Sequence, residues 1–179
     1  AEVGQEGADL RIRGCGLAGL RQANQTINCG NSGTTMRLLA GLLAGQHFTS
    51  ELTGDASLCS RPMRRVAEPL RAMGASVRTS RDGTPPLEIA GRGCLRAITF
   101  HPEVASAQVK SCVLLAGLYA DGPTTIVEGC RTRDHSERLL VAMGADVAIL
   151  TEGSGGRVTI QQGRPLGTIS GRIPGDIVP

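Results

Sequence analysis

A chain of 179 residues with 40% apolar side chains can bury one large core or two small ones, and with aromatics at only 2% that core is made of Leu, Ile, Val, Ala and Met. A formal net charge of +3 is too small to argue for nucleic acid, and no apolar run approaches the length of a membrane span. The six cysteines (Cys15, Cys29, Cys59, Cys94, Cys112 and Cys130) form no C-x-x-C pair and have no histidine at ligand spacing, which excludes a zinc site and a disulfide framework from the expectation. They read as buried or incidental thiols of a reducing cytosol, and the sequence as it stands shows no basic-then-apolar leader.

The chain repeats itself. "DLRIRGCGL" (9–17) resembles two later stretches, "PLEIAGRGCL" (86–95) and "RVTIQQGRPL" (157–166). "QTINC" (25–29) is a short strand, and 33–45 is a helix with Leu38, Leu39, Leu42 and Leu43 on one face. "HFTSELTG" (47–54) alternates as a strand. "RPMRRVAEPLRAMG" (61–74) places Met63, Val66, Leu70 and Met73 at helical spacing, with Pro62 suited to the first turn, Pro69 to an interior kink and Gly74 to the C-cap. "ASVRTS" and "PLEIAG" then form a hairpin across "RDGTP". The order β-α-β-α-β-β recurs with "AITFHP", a helix over 106–120, "TTIVEG", a helix over 133–144, "DVAIL" and "RVTIQQ". "AMGA" at 72–75 and 142–145, and "LLAG" at 42–45 and 114–117, mark a period near 70 residues, too long for a common solenoid. The expected fold is α/β (α+β), with the end of one unit at 1–20, complete units at 21–95 and 96–166, and the entry into a further segment at 167–179.

Candidate chemistry gathers where strands give way to helices. The loop 30–33 of "NCGNSGTTMRLL" is rich in glycine, which is costly to order. It reads either as an anion site built from helix N-terminal amides, with Arg37 one turn on, or as a tight turn capped by Asn31 or Ser32. Arg61 precedes Pro62 at the expected start of a helix, where a cation opposes the helix dipole and a bound anion would remove the conflict. Arg64 and Arg65 read as a solvated face. At "EVASAQVKSC", Ser106 is a plausible cap, and Ser106, Gln108 and Lys110 together suit a polyol phosphate; the plainer reading is a capping serine beside a snorkelling lysine. "CRTRDHSERLL" is the equivalent junction of the second unit, with Arg133 where Arg61 stood and Asp134 or Ser136 as cap. Of the 19 basic residues only Lys110 is a lysine. Genome composition could produce that bias, and so could a demand for planar guanidinium forks that match carboxylate and phosphate. If the four junctions fall on one end of the fold, that end is concave, cationic and rich in donors.

Taken together, "NSGTTMRLLAGLLAG", "GDASLCSRPMRRVAEPLRAMGA", "SAQVKSCVLLAGLYA" and "RTRDHSERLL" resemble the 5-enolpyruvylshikimate-3-phosphate synthase (3-phosphoshikimate 1-carboxyvinyltransferase) family from about residue 9 to the end. The UDP-N-acetylglucosamine enolpyruvyl transferases share the fold but lack this combination of motifs. The resemblance implies an inside-out α/β barrel fold, in which two domains of three βαβαββ units close on shikimate 3-phosphate and phosphoenolpyruvate without metal or cofactor. It implies that Asn31, Gly33, Thr34, Arg37, Arg61 and Gln108 line the phosphoenolpyruvate pocket, where glyphosate also binds the parent enzyme. It further implies that Ser106, Gln108, Thr132 and Arg133 hold shikimate 3-phosphate, with Ala107 where some members carry a second serine. The family's Lys-Ser-x-Ser-x-Arg segment and its second domain, which bears the aspartate base, are not in this sequence. No catalytic residue is therefore expected in this chain. The expectation is a partial domain that binds substrate weakly at most and does not turn over, exposing apolar surface where its partner would sit. The competing expectations are a stand-alone phosphosugar-acid binding module and a folding unit.

Overall fold

The computed structural model describes residues 2–163 and 165–172. Its first elements, β1 (Glu2–Glu6) and β2 (Asp9–Arg13), pair as an antiparallel hairpin separate from the other sheets. Val3 pairs with Ile12 across it, and Val3, Leu10 and Ile12 are exposed.

The next elements are β3 (Ile27–Asn28), α1 (Gly33–Ala44), β4 (Thr49–Thr53), a single turn α2 (Ala56–Cys59), α3 (Arg64–Ala72), β5 (Ser76–Arg78) and β6 (Leu87–Ala90). The strands form a sheet in the order β3-β4-β6-β5, with β3 parallel to β4 and the other pairs antiparallel. A second series follows: β7 (Thr99–Phe100), α4 (Ala107–Gly117), β8 (Thr124–Glu128), α5 (His135–Ala142), β9 (Asp146–Glu152) and β10 (Gly155–Gln161). Its sheet runs β7-β8-β10-β9 with the same sequence of parallel and antiparallel pairs. The strand order of one series is thus that of the other. Alternation sends Leu52, Val77, Leu87 and Ile89 inward from the first sheet, and Ile126, Val158 and Ile160 from the second. Helices on these faces complete a core without tryptophan, in which Met36, Met63 and Met73 fill space that aromatics occupy elsewhere.

Two expectations are corrected. Pro62 does not begin a helix: α3 starts at Arg64 with Met63 as its N-cap, and it runs through Pro69. The single turn α2, absent from the sequence reading, is capped by Asp55, whose carboxylate accepts from the Leu58 amide at 2.8 Å. The final stretch 173–179, expected to enter a further unit, lies outside the described residues.

The two series meet through α1 and α4. Gly41 makes the meeting close, since a Cβ there would stand 2.3 Å from the Cys112 carbonyl oxygen. Further along, a Cβ on Gly45 would meet the Tyr119 ring at 2.1 Å. Thr34 faces Gln108 at the other end, so the helices run parallel with their N-termini together. Gly41→Ala is expected to force them apart and lower the unfolding free energy by about 1–3 kcal/mol, read as a lower midpoint in urea unfolding at unchanged slope.

Candidate functional site

Because α1 and α4 lie side by side, their first turns open onto one face. Ser32 caps α1: its Oγ accepts from the Thr35 amide at 3.1 Å. Gly30, at φ +58°, makes the left-handed turn before that cap. Ser106 caps α4 through the Val109 amide at 3.4 Å. The earliest amides of each helix have no intrahelical acceptor and face outward as donors.

Two guanidiniums converge above α1. A Cβ on Gly33 would lie 2.9 Å from Arg37 Nη1 and 3.4 Å from Arg61 Nη1, so a side chain there would push the guanidinium of Arg37 from its present place. Gln108 ties the helices together: its Nε2 donates to Thr34 Oγ1 at 2.7 Å, and its Oε1 accepts from Arg37. Arg61 donates to Asn31 Oδ1 at 2.6 Å and to Ser57 Oγ at 3.3 Å. Asn31 in turn donates through Nδ2 to Asp55 at 2.6 Å, and this fixes which end of the amide faces Arg61. Arg37, Pro62, Arg65, Ser106, Gln108 and Val109 line a cleft of about 160 Å³.

The charges explain what this arrangement can do. Partial burial lowers the pKa of Arg37, and the neighbouring cations Arg61 and Arg65 lower it further. A half-buried cation beside two others is poorly compensated, and an anion would compensate it. Asp55 is the acid of the cluster. Its pKa is lowered first by the Leu58 amide, then by the Asn31 side chain, with Arg61 contributing less. Backbone donors, a side-chain amide and two forks around a cleft of this size suit a carboxylate or a phosphate monoester. Among the described residues no group of three or more His, Cys, Asp or Glu could hold a metal ion, and no helix is long and apolar enough to cross a membrane.

Of the residues expected from sequence, Asn31, Gly33, Thr34, Arg37, Arg61 and Gln108 stand together, with Ser106 on the same cleft. Thr132 and Arg133 make no hydrogen bond to this group among the described residues: the Thr132 hydroxyl donates to Glu128 at 2.6 Å, and Arg133 is exposed before α5. Lys110 is corrected. It is 3% exposed and held between Glu128 at 2.8 Å and Glu137 at 2.6 Å, so its ammonium offers nothing to a ligand and does not snorkel to solvent. Arg61 does not stand at a helix start. It follows Ser60, the C-cap of α2, three residues before α3, so no helix dipole opposes it. Sequence reasoning missed Asp55, although an aspartate after a strand and before "ASLC" carries a capping signal. It also gave Arg65 to the solvated face, where it is exposed yet lines the cleft.

The cleft between the parallel helices of two like α/β sheets is cationic and rich in donors, the chemistry that suits a small anion. The sequence profile of EPSP synthase (3-phosphoshikimate 1-carboxyvinyltransferase) matches residues 1–178, and the chain belongs to that family. It is 56% identical over 168 residues to the 3-phosphoshikimate 1-carboxyvinyltransferase of Methylococcus capsulatus, covering 94% of this chain and 38% of that protein. It is 54% identical over 178 residues to that of Acidithiobacillus ferrooxidans, covering 98% of this chain and 40% of the relative. The structure of EPSP synthase from Acinetobacter baumannii superposes with a TM-score of 0.85 at 47% identity, covering 92% of this chain and 36% of the other. The chain thus spans about 40% of the length of the curated relatives it matches.

The Asp55 shift sets a pH test. A carboxylate whose folded pKa lies below its unfolded value stabilises its contacts above the ordinary carboxylate range and loses them as pH falls through the lowered pKa. The Asn31 side-chain NH₂ resonances are expected to titrate with a midpoint below the ordinary aspartate value of about 3.9 and to lose that titration in Asp55→Asn, followed by NMR.

Proposed function

We propose that this chain supplies the anion-binding part of a 3-phosphoshikimate 1-carboxyvinyltransferase. The complete enzyme joins the enolpyruvyl group of phosphoenolpyruvate to the 5-hydroxyl of shikimate 3-phosphate. A new C–O bond forms at the enolpyruvyl carbon, the C–O bond to phosphate breaks, the hydroxyl proton is lost and inorganic phosphate leaves. The observation that carries this reading is the convergence of Arg37 and Arg61 over Gly33, bridged by Gln108 to the second helix.

On this reading Asn31, Gly33, Thr34, Arg37, Arg61 and Gln108 bind phosphoenolpyruvate, whose place glyphosate takes in the inhibited parent enzyme. Ser106, Gln108, Thr132 and Arg133 hold shikimate 3-phosphate. The chain is a single partial domain, with βαβαββ units at 21–95 and 96–166 of an inside-out α/β barrel, flanked by 1–20 and 167–179. Its setting is the cytoplasm. The guanidinium forks neutralise two neighbouring anions and hold their reacting ends together, a task of orientation and electrostatics. Proton transfer to and from the reacting centre needs an acid and a base placed within hydrogen-bond reach. Asp55 is committed to Asn31 and the α2 cap, and Glu128 and Glu137 to Lys110. The chain alone therefore binds substrate without turning it over, and the complementary domain of the parent enzyme supplies the base and excludes water.

Titration of the labelled chain with shikimate 3-phosphate is expected to move amide signals of 30–37, Arg61, 106–108 and 132–133 and to leave the β1–β2 hairpin unmoved. A well-dispersed spectrum without shifts at millimolar ligand would overturn binding by this chain alone. Arg61→Gln is expected to weaken phosphoenolpyruvate by about ten- to a hundredfold, the loss of one charge-assisted pair of about 1.5–3 kcal/mol.

A further inference from the structure

Lys110 is the one lysine of the chain, and the site does not use it. It sits one turn into α4, its amide bonded to the Ser106 carbonyl at 3.0 Å, so its backbone is continuous with the cap that faces the cleft. Its ammonium points the other way, to Glu128 at the end of β8 and Glu137 in the first turn of α5. Glu128 has its second oxygen left for Thr132, which donates to Oε1 at 2.6 Å. Beside this cluster Ser111 of α4 and Ser136 of α5 lie 2.6 Å apart through their hydroxyls. The loop 129–134 is also tied to Ser154, whose carbonyl accepts from the Arg131 amide at 2.9 Å and whose hydroxyl donates to the Gly129 carbonyl at 3.4 Å. Three elements and one loop therefore converge on a single buried ammonium.

We propose that Lys110 is a positioning residue: through Glu128 and Thr132 it sets the loop 129–134, and with it Arg133, at a fixed distance from the Ser106 cap. The proposal rests on the reading that shikimate 3-phosphate binds between that cap and that loop. A buried ion pair is weak evidence for stability as such, since an apolar trio of like volume serves as well. Its geometry is what an apolar trio lacks. Charge-assisted hydrogen bonds of 2.6–2.8 Å are short and directional, so they fix spacing and not contact alone. The arrangement places a compact ammonium between two carboxylates, 2.8 and 2.6 Å away, where an arginine would bring a longer side chain and a planar fork in place of a point charge. In a chain otherwise wholly arginine, that gives a physical reason for the exception.

The test uses the chain as it stands, in Lys110→Met, Thr132→Val and Thr132→Ser variants, with two readouts. The first is amide hydrogen exchange without ligand. Lys110→Met and Thr132→Val are expected to speed exchange in 129–134 by about tenfold or more while the β8–β10 ladder keeps its protection, and Thr132→Ser is expected to restore the wild-type rate. The second is the shikimate 3-phosphate dissociation constant, expected to rise by about three- to thirtyfold in Lys110→Met, a residue too buried to touch the ligand. If Lys110→Met does not fold, Glu128→Gln replaces it, keeping the Lys110–Glu137 pair and weakening the acceptor for Thr132; a smaller change in the same direction is expected. Unchanged exchange in 129–134 overturns the proposal whether or not the ligand binds. Faster exchange with an unchanged dissociation constant also overturns it, leaving the cluster a matter of stability. If the wild-type chain binds no shikimate 3-phosphate, the functional reading of this chain alone fails by itself, and the exchange readout decides the positioning of the loop.

Discussion

The close parallel packing of α1 on α4 is the constraint on which the site depends. Parallel helices in contact are electrostatically unfavourable, because their dipoles point the same way and the partial positive charges of both N-termini accumulate at one end. Antiparallel packing would cancel them. Here the two like series place their first helices side by side, and Gly41 against the Cys112 backbone brings them to contact distance. Gln108 can then reach both Thr34 and Arg37. The cost of the parallel arrangement and the positive field that would favour an anion have one origin.

The same logic orders the side chains. Arg37, Arg61 and Arg65 add positive charge to an end that already carries it, and the pKa of Arg37 is lowered by its burial first and by Arg61 and Arg65 after that. The compensation inside the protein is partial and indirect. Asp55 reaches Arg61 through the Asn31 amide and does not form an ion pair with it, so the guanidinium is oriented without being neutralised. A direct carboxylate partner would have closed the fork to a ligand. Lys110 shows the opposite treatment: two carboxylates enclose it, and it is withdrawn from the face. Within a few residues of α4 the fold keeps one kind of cation available and buries the other.

How much of this was legible depends on the range of the interaction. Helices α1 and α4, with their serine caps, and the strands between them follow from local periodicity and capping chemistry, which act over three or four residues. The glycine-rich loop at 30–33 was legible as an anion site or a capped turn; the structure shows the capped turn, with Ser32 as cap, and sets Arg37 and Arg61 beside Gly33. The partners of Lys110 were not legible. Glu128 and Glu137 lie 18 and 27 residues away on different elements, and a lysine in a first helical turn gives no sign of which way its stem will run. Arg61 was placed in the site for a reason the structure removes, because a proline after an arginine suits both the start of a helix and the joint between two helical segments.

The β1–β2 hairpin shows what the repeat itself demands. Each of the other two hairpins, β5–β6 and β9–β10, completes a four-stranded sheet whose inner face is covered by helices. The first hairpin has the same kind of sequence, with apolar residues in register across the strands, but among the described residues no further strand extends it, and Val3, Leu10 and Ile12 face solvent. A two-stranded ribbon is marginal in water without a covered apolar face. Alternation in a strand specifies a buried side only when something lies against it. Leu17 does connect this segment to the rest, since its carbonyl accepts from Tyr119 at 3.0 Å and from Gln46 at 3.2 Å, on either side of the α1–α4 contact. The anchor of the first segment therefore falls on the same helix pair that builds the site, at its opposite end.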